Sequence, residues 1–331
     1  MNDWLTATAG PAVLVTVARV EGSSPRATGT KMLVTAHGQL DTIGGGHLEL
    51  KAVEIARAML ARGDDAVHYE RFPLGPSLGQ CCGGVVWLAF EPVGAELAHI
   101  LEVLRARRRD DSIRVTAIEG VPACALFDAG GTRIAGNADV AFPGALQAGL
   151  HADAHGRRWL VDPILAPRAH VLLFGAGHVG AAIVRALAEL PCSVTWVDER
   201  DDMFPARVPD NVTVEVTDTP ETLVAVAPPG ASYLVMTHSH ALDQRLCEAI
   251  LAREQVGWFG LIGSKTKRAQ FESRMAARGI DPVRIATMVC PIGLPGIIDK
   301  ALPVIAASVA AQLLIVWQAQ AAALPQPIQE N

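Results

Sequence analysis

The sequence predicts an α/β protein with two domains, an N-terminal mixed α/β domain and a C-terminal Rossmann-like domain built on a doubly wound parallel sheet. Residues 170–278 alternate between short apolar strands and helices joined by short turns, which is typical of a parallel sheet with helices on both faces. Residues 12–62 instead contain short β-branched strands before a single helix. The 331 residues agree with two domains of ordinary size.

The N-terminal half is predicted to form strands around one amphipathic helix. That helix begins at Gly46, and its apolar side chains Leu48, Ala52 and Met59 fall on one face. The predicted elements are strands at 12–20, 31–36 and 40–43, the helix from Gly46, strands at 66–72 and 85–93, a helix at 94–109, and short strands within 112–140. We expect the short strands to complete the same sheet.

The C-terminal half begins after the stiff segment that contains Pro163 and Pro167. The predicted elements are strands at 170–174, 193–197, 232–236 and 257–262, helices at 178–190, 220–226, 241–254 and 265–278, and an apolar helix from about 303. The domains therefore span residues 1–162 and 168–320, followed by a flexible tail at 321–331.

The composition excludes several classes of protein. Half of the residues are hydrophobic and the formal net charge is −6, which argues against a nucleic-acid partner. The six cysteines show no zinc spacing, and no secretory leader is visible, so we expect a cytoplasmic protein with reduced thiols. Residues 301–324 carry no charge, but interrupting polar residues favour a buried core helix over a membrane span.

The first candidate site is a G-x-G-x-x-G sequence directly after the strand at 170–174. Its glycines are Gly175, Gly177 and Gly180, with His178 between them, and Asp198 ends the next strand. This arrangement binds dinucleotides through a helix N-terminus that faces the pyrophosphate, while the acid holds a ribose hydroxyl. A fold that keeps the motif but binds nothing is the alternative.

The second candidate is the turn Gly44, Gly45 and Gly46, followed by His47 and Glu49. Consecutive glycines before a helix expose backbone amides that can surround an anion, and His47 and Glu49 can contact a polar ligand. Equally, the glycines can form a tight turn that needs positive φ, with Glu49 placed favourably for the helix dipole.

Two further loops of the N-terminal half carry reactive or charged groups. Gln80, Cys81 and Cys82 lie between glycines, where a thiolate is accessible to a soft metal or to sulfur transfer. Ser24 and Arg26 follow the first strand, and Arg26 can bind a phosphate or carboxylate through two hydrogen bonds. Ordinary packing of one cysteine and a surface salt bridge of Arg26 are the alternatives.

The C-terminal half places further polar residues after its later strands. His238 follows the strand at 232–236, where ligands of open α/β sheets bind, and Lys265 follows the strand at 257–262 and can meet a phosphate. A metal site made of His238, His240 and Asp243 is conceivable but disfavoured, because no carboxylate cluster accompanies it.

These motifs together resemble the xanthine dehydrogenase accessory proteins, the XdhC/CoxI family. The matching segments are VEGSSPRATGTKMLV, IGGGHLE, GPSLGQCCGG, FGAGHVG, VDERDDMFP, THSHALD, GLIGSKTKR and CPIGLPGI. They occur in order over nearly the whole chain. GPSLGQCCGG and GLIGSKTKR are specific, whereas FGAGHVG alone would match any Rossmann domain.

The resemblance implies a homodimeric chaperone rather than an enzyme. It implies binding of the molybdenum cofactor in its molybdopterin form, protection of that cofactor while a cysteine desulfurase installs its sulfido ligand, and insertion into apo xanthine dehydrogenase. It assigns cofactor handling to the N-terminal domain with Cys81 or Cys82, and leaves open which of the two acts. By the same analogy the triple glycine turn and Arg26 suit the pterin phosphate.

Two other functions stay open at the sequence level. The Rossmann-like domain is compatible with an oxidoreductase that uses NAD(P) or a flavin, with His178 or His238 as the acid or base. A regulator that senses a nucleotide without chemistry is a third and less favoured alternative. The nucleotide at Gly175–Gly180 is undetermined.

Overall fold

The computed structural model describes residues 3–5, 10–74, 83–144 and 147–323. The chain divides into two compact units, residues 1–166 and residues 167–331. The first unit (unit 1) contains two antiparallel sheets, and the second (unit 2) contains one parallel sheet. The α/β fold class is therefore confirmed, with the parallel sheet in the C-terminal half.

Unit 1 begins with a five-stranded sheet in the order β3-β2-β1-β5-β4. Its strands are β1 (Ala12–Glu21), β2 (Lys31–Thr35), β3 (Gln39–Asp41), β4 (His68–Pro73) and β5 (Val85–Pro92). Helix α1 (Gly46–Arg62) covers one face of this sheet, because Leu48, Ala52 and Met59 are buried against its apolar strands. The predicted periodicity of this helix is confirmed.

The strands after residue 112 do not extend the first sheet, as the sequence suggested, but form a second one. Its order is β8-β7-β6-β10-β9. Its strands are β6 (Ser112–Ala117), β7 (Cys124–Asp128), β8 (Arg133–Gly136), β9 (Gly149–Ala152) and β10 (Arg158–Ile164). Helix α2 (Ala95–Ala106) lies in a core shared by both sheets, where Leu14 of the first sheet and Leu126 of the second are fully buried.

Unit 2 is a parallel sheet in the order β13-β12-β11-β14-β15. The strands are β11 (Ala169–Phe174), β12 (Cys192–Asp198), β13 (Val212–Val216), β14 (Ala231–Val235) and β15 (Val256–Leu261). The helices are α3 (His178–Leu187), α4 (Glu221–Val226), α5 (His240–Ala252), α6 (Lys265–Ala277), α7 (Pro282–Ala286) and α8 (Leu302–Ala323). The strand order reverses between β11 and β14, which is where ligands of such sheets bind.

The last helix packs against the core of the parallel sheet, as the sequence predicts, and it does so through one face. One face of α8 is buried through Val309, Leu313 and Trp317, while Ile315 is 58% exposed. By length and composition α8 is apolar enough to cross a membrane, and 28% of its most apolar window is buried. A core helix of a soluble protein passes the same test, so length and composition alone do not assign a membrane span.

Candidate functional site

Three of the sequence motifs in unit 1 meet at one edge of the first sheet. A Cβ on Gly84 would lie 2.2 Å from the carbonyl oxygen of Ser23, and a Cβ on Gly44 would lie 2.6 Å from the Cβ of Pro25. The loop after β1 therefore touches both the triple glycine turn and the end of the segment that carries the adjacent cysteines. Antiparallel pairing explains the meeting, because β1 and β3 end where β2 and β5 begin.

The triple glycine turn has the backbone of an anion-binding turn, but a carboxylate of the chain already occupies it. Gly44, Gly45 and Gly46 all have positive φ, at 121°, 73° and 67°. One carboxylate oxygen of Glu49 accepts hydrogen bonds from the amides of Ile43 and Gly45, each at 3.0 Å. Of the two predicted alternatives, an anion site and a tight turn supported by Glu49, the structure has the tight turn at these two amides.

The electrostatics of Glu49 agree with this role. Partial burial alone would raise the pKa of Glu49, but hydrogen bonds from Thr42, Gln39 and backbone amides outweigh it and hold the pKa below its usual range. The carboxylate is therefore charged at neutral pH, and an anionic ligand at Ile43 and Gly45 would meet a fixed negative charge. His47 is exposed in the first turn of α1.

The two candidate residues of the loop after β1 differ in their surroundings: Ser24 bonds within the loop, and Arg26 faces solvent. The Ser24 hydroxyl donates to the carbonyl oxygen of Arg26 at 2.5 Å, so it holds the loop. Arg26 is exposed, and its Cγ lies 3.3 Å from the position of a Cβ on Gly44. Among the described residues, no carboxylate forms an ion pair with Arg26. Its guanidinium is therefore available to a ligand.

Gln80, Cys81 and Cys82 lie outside the described residues, so their candidate roles stay predictions. The chain on either side of them is described, and the Leu74 amide donates to the Gly84 carbonyl oxygen at 2.8 Å. The thiols that the structure describes are all buried: Cys124, Cys192, Cys247 and Cys290. Burial raises the pKa of Cys124 and of Cys192 to about 11, which leaves little thiolate at neutral pH.

In unit 2 the glycine motif has the close contacts that its residue types imply. A Cβ on Gly175 would lie 2.3 Å from the carbonyl oxygen of Met236, and one on Gly180 would lie 2.2 Å from that of Gly175. Gly177 precedes α3 without a side-chain cap, and a Cβ there would meet nothing within 4 Å. The open space beside Gly177 is where a phosphate approaches the backbone in dinucleotide-binding folds.

Asp198 does not offer a free carboxylate to a ribose. Its oxygens accept from the Ala176 amide at 2.7 Å and from the Nε and terminal nitrogen of Arg200 at 2.9 and 3.0 Å. Burial would raise the pKa of Asp198, but the hydrogen bonds from Arg200 and the Ala176 amide outweigh it and lower the pKa. Arg200 is the residue here that sequence reasoning did not select.

Two polar side chains meet beside the crevice at the glycine motif. The Nε2 atom of His238, which follows β14, lies 3.3 Å from a carboxylate oxygen of Glu199, which follows β12 on the other side of β11. The crevice is lined by Phe174, Gly175, Val197, Asp198, Glu199, Pro220, Thr237, His238 and Leu242, and encloses about 10 Å³. That volume holds about one water molecule.

Of the two lysines after β15, Lys267 joins a polar cluster, whereas the phosphate contact of Lys265 stays a prediction. The ammonium of Lys267 donates to Asp243 at 2.7 Å, and the other carboxylate oxygen of Asp243 accepts from the Thr237 hydroxyl at 2.7 Å. Lys265 is exposed as the first residue of α6. The two lysines differ in their surroundings because residues two apart lie on different faces of a helix.

The residues described contain no group of three or more His, Cys, Asp or Glu side chains that could hold a metal ion. His240 faces the Phe271 ring at 6.4 Å, which places it in an aromatic contact rather than in a cluster with Asp243. A metal site made of His238, His240 and Asp243 therefore has no geometric support in this part of the chain.

Together these features define a two-unit protein with a Rossmann-type unit and an α/β unit that gathers three glycine-rich loops. The chain belongs to the XdhC and CoxI family. Residues 5–70 match the XdhC and CoxI family, and residues 171–313 match the XdhC Rossmann domain. The resemblance stated from the motifs is confirmed.

A solved structure shares the fold over nearly the whole chain. It is described as a xanthine dehydrogenase from Bacillus halodurans, with a TM-score of 0.75 and 21% sequence identity. The similarity covers 96% of this chain and 94% of the other. At this identity the likeness concerns the fold alone. No curated protein matches the sequence.

Proposed function

We propose that the protein binds the molybdenum cofactor in its molybdopterin form, holds it during sulfuration and inserts it into apo xanthine dehydrogenase. Membership in the XdhC and CoxI family supports the coarser part, an accessory role in xanthine dehydrogenase maturation without turnover of its own. The partners in this proposal are xanthine dehydrogenase, a cysteine desulfurase as sulfur donor, and a second copy of the chain.

One observation carries the proposal. The loop after β1, the triple glycine turn and the end of the cysteine segment, three motifs far apart in sequence, converge at one edge of the first sheet. Glycines allow the close approaches, and Arg26 adds an available cation beside them. A shared edge of this kind fits one extended ligand that contacts all three loops.

The residues fit the two ends of such a cofactor unequally. The anionic end suits Arg26, because guanidinium groups bind phosphate through paired hydrogen bonds. The turn at Gly45 is less suitable than its sequence suggested, because Glu49 takes its donors. The metal end would fall to Cys81 or Cys82, since soft thiolates suit molybdenum and the described thiols are buried.

The proposal is tested by cofactor retention. Molybdopterin is added to the purified full-length protein, free cofactor is removed by ultrafiltration, and the retained amount is measured. We expect stoichiometric retention by the wild type and a clear loss in Cys81→Ala or Cys82→Ala. Cys124→Ala, which removes a buried thiol of the same unit, serves as the matched control. Equal retention by the wild type and the Cys81→Ala/Cys82→Ala double variant would refute the proposal.

Unit 2 favours a second ligand, a dinucleotide or another nucleotide, through the close contacts of Gly175 and Gly180. The rival function, an oxidoreductase that uses NAD(P) or a flavin, would require such a ligand together with a free acid or base. His238 is instead paired with Glu199. The absorbance spectrum of the purified protein separates the two, since a bound flavin would support the rival.

A further inference from the structure

A row of three side chains crosses the first sheet beside the edge where the loops converge. Arg19 of β1 and Arg71 of β4 both lie directly opposite Trp87 of β5 in the strand register. The two guanidinium carbons lie 4.9 Å and 5.7 Å from the centre of the Trp87 ring. Both cations are therefore held against the same indole, each by a cation–π contact.

The positive charge of this row is balanced only in part, because one of its two arginines has a carboxylate partner. Arg19 forms an ion pair with Glu21, whereas Arg71 is exposed and has no ion pair among the residues that the structure describes. Two other carboxylates of this region, Glu70 and Glu119, are paired with His68 and with Arg158. In a chain with a formal net charge of −6, the row is a local excess of positive charge.

A cavity adjoins the row on the side of Arg19. It is an open groove of about 240 Å³ between β1, the loop after it and the edge strand β9. Arg19 and Thr28 supply its polar side chains, and the remaining walls are small or apolar: Ala18, Val20, Ala148, Gly149 and Leu150. The strand register of β1 shifts between Val17 and Arg19, which turns Arg19 toward both the cavity and Trp87.

The size and the charge together specify the ligand group. Ligand pockets for whole small molecules run from about 300 to 1,000 Å³, so this cavity suits one end of a longer ligand. Arg19 and Arg71 lie two strand spacings apart, about 10 Å at the Cα atoms, and their long side chains can converge on one group. Among the described residues, Arg19 and Arg71 have one carboxylate partner between them, Glu21, so the row keeps a net positive charge and paired donors for an oxyanion. A phosphomonoester, which carries about −1.5 to −2 charges at neutral pH, competes with Glu21 for Arg19 and binds Arg71 directly.

We propose that Arg19, Trp87 and Arg71, with the adjoining cavity, form a subsite for the phosphomonoester of an organic ligand. The ligand's identity rests on the proposed function, in which that group is the phosphate of the pterin cofactor. Trp87 acts as a positioning residue, because it fixes the two guanidiniums and does not itself bind the anion. The subsite supplies the phosphate contact that the turn filled by Glu49 does not offer.

The subsite is tested with the full-length protein and three probes: a pterin monophosphate, the same pterin without phosphate, and inorganic phosphate. Binding of the pterins is followed by their fluorescence anisotropy. We expect the wild type to bind the phosphorylated pterin at least about tenfold more tightly, because charge-assisted hydrogen bonds are lost without the phosphate. Inorganic phosphate is expected to compete with the phosphorylated pterin only.

Variants assign the effect to the row. Arg71→Gln is expected to lose about tenfold in affinity for the phosphorylated pterin and to abolish the difference between the two pterins. Arg71→Lys keeps the charge without the paired hydrogen bonds and is expected to lie between. Arg157→Gln is the matched control, because Arg157 also contacts a tryptophan of unit 1, Trp159 at 4.5 Å.

The outcomes separate this subsite from the proposed function. Equal binding of the two pterins by the wild type, or the same affinity in Arg71→Gln as in Arg157→Gln, would overturn the subsite even if molybdopterin is retained. If molybdopterin is not retained but the phosphorylated pterin binds in a manner that depends on Arg71, the subsite stands and the proposed function fails. Should Arg71→Gln unfold, the comparison of Arg71→Lys with Arg157→Gln decides.

Discussion

Four charged side chains lie almost fully buried between the two sheets of unit 1: Lys31, Glu91, Arg114 and Asp162. The Arg114 guanidinium donates to Asp162 at 3.0 Å and to both oxygens of Glu91 at 2.8 and 3.0 Å. Lys31 donates to Asp162 at 2.7 Å. Two cations and two carboxylates therefore neutralise one another, which is the condition under which charges are tolerated in a protein interior.

Lys31 connects this cluster to the candidate site. Its ammonium also donates to the carbonyl oxygen of Gly29, at 2.6 Å, in the loop that carries Ser24 and Arg26. Gly29 has a positive φ of 90°, so a side chain there would be strained. The loop after β1 is thus attached at its far end to a buried ionic cluster, and the position of Arg26 depends on it.

The first prediction concerns Asp162. Asp162→Asn should lower the free energy of unfolding by about 3–5 kcal/mol at neutral pH, because Lys31 and Arg114 then share Glu91 as their one buried carboxylate and one positive charge is uncompensated. Burial alone would raise the pKa of Asp162, but the charges of Lys31 and Arg114 outweigh it and lower the pKa. Urea unfolding of both proteins measures the difference, and Asp65→Asn, an exposed carboxylate of the same unit, is the control.

The dependence of stability on pH below neutrality tests the same carboxylate. The unfolded-state pKa of an Asp is about 3.9, above the folded-state value of Asp162, so the unfolded chain takes up the proton first. The stability that Asp162 contributes is complete well above pH 4 and is lost as the pH falls through its folded-state pKa. The wild type should therefore lose more stability on acidification than Asp162→Asn, and parallel pH profiles would contradict the assignment.

Residue-level roles were only partly predictable from the sequence. The sequence indicates Arg26 as a ligand contact, and the structure leaves its guanidinium available. The sequence does not indicate the buried ionic cluster, because the four members come from four strands of two sheets and share no local pattern. Arg71 and Trp87 were missed for the same reason. Their relation exists only in the strand register, which the sequence does not display.

At the scale of elements, the sequence predicts the backbone of the triple glycine turn but not which group accepts hydrogen bonds from its amides. Glycine spacing indicated three positive φ values and a helix start at Gly46, both of which the structure has. The sequence left a ligand and Glu49 equally placed to satisfy the amides. The side chain is tethered, so its local concentration far exceeds that of a free anion, and it takes the donors.

The second prediction follows from this arrangement. Glu49→Ala should lower the free energy of unfolding by about 1–3 kcal/mol, because the amides of Ile43 and Gly45 lose their acceptor. Glu49→Gln keeps one carbonyl oxygen in place and should lose less. Glu54→Ala, an exposed glutamate of the same helix, is the control, and chemical unfolding measures all three. Equal stability of Glu49→Ala and Glu54→Ala would show that the turn does not depend on this carboxylate.

The composition of helix α8 predicts the helix itself but not which of its faces is buried. Gln312 exchanges two hydrogen bonds with the backbone of Gly293, at 2.8 and 3.2 Å, and the Ser308 hydroxyl accepts from the Leu294 amide at 2.7 Å. The polar residues that interrupt its apolar sequence therefore hold the preceding loop. Composition revealed the helix, but the division into a buried and an exposed face depends on which strands it packs against.

At the scale of the whole molecule, each unit keeps its apolar core within its own residues. The buried clusters of unit 1 draw on residues 4–164, and those of unit 2 draw on residues 169–317. The fold class and the parallel sheet were predictable because regular alternation encodes them directly. The second sheet of unit 1 was not, because short alternating strands do not specify which sheet they join.

The last prediction uses these separate cores. Arg114→Met breaks the ionic cluster of unit 1, and Leu246→Ala opens a cavity in the core of unit 2, where Leu246 is fully buried. Each change should cost about 2–5 kcal/mol in its own unit. Because each unit has buried clusters of its own, unfolding of the full chain should show two transitions, of which each variant lowers one.

Calorimetry of the full-length protein measures both transitions, and circular dichroism assigns them, since unit 2 holds most of the helix. Val226→Ala, at a side chain that is 78% exposed, should move neither transition and controls for handling. A single transition that Arg114→Met and Leu246→Ala lower equally would show that the chain unfolds as one cooperative body. Two transitions would instead let cofactor be assigned to a unit, because a ligand raises only the transition of the unit that binds it. On the proposed function, molybdopterin should raise the transition that Arg114→Met lowers.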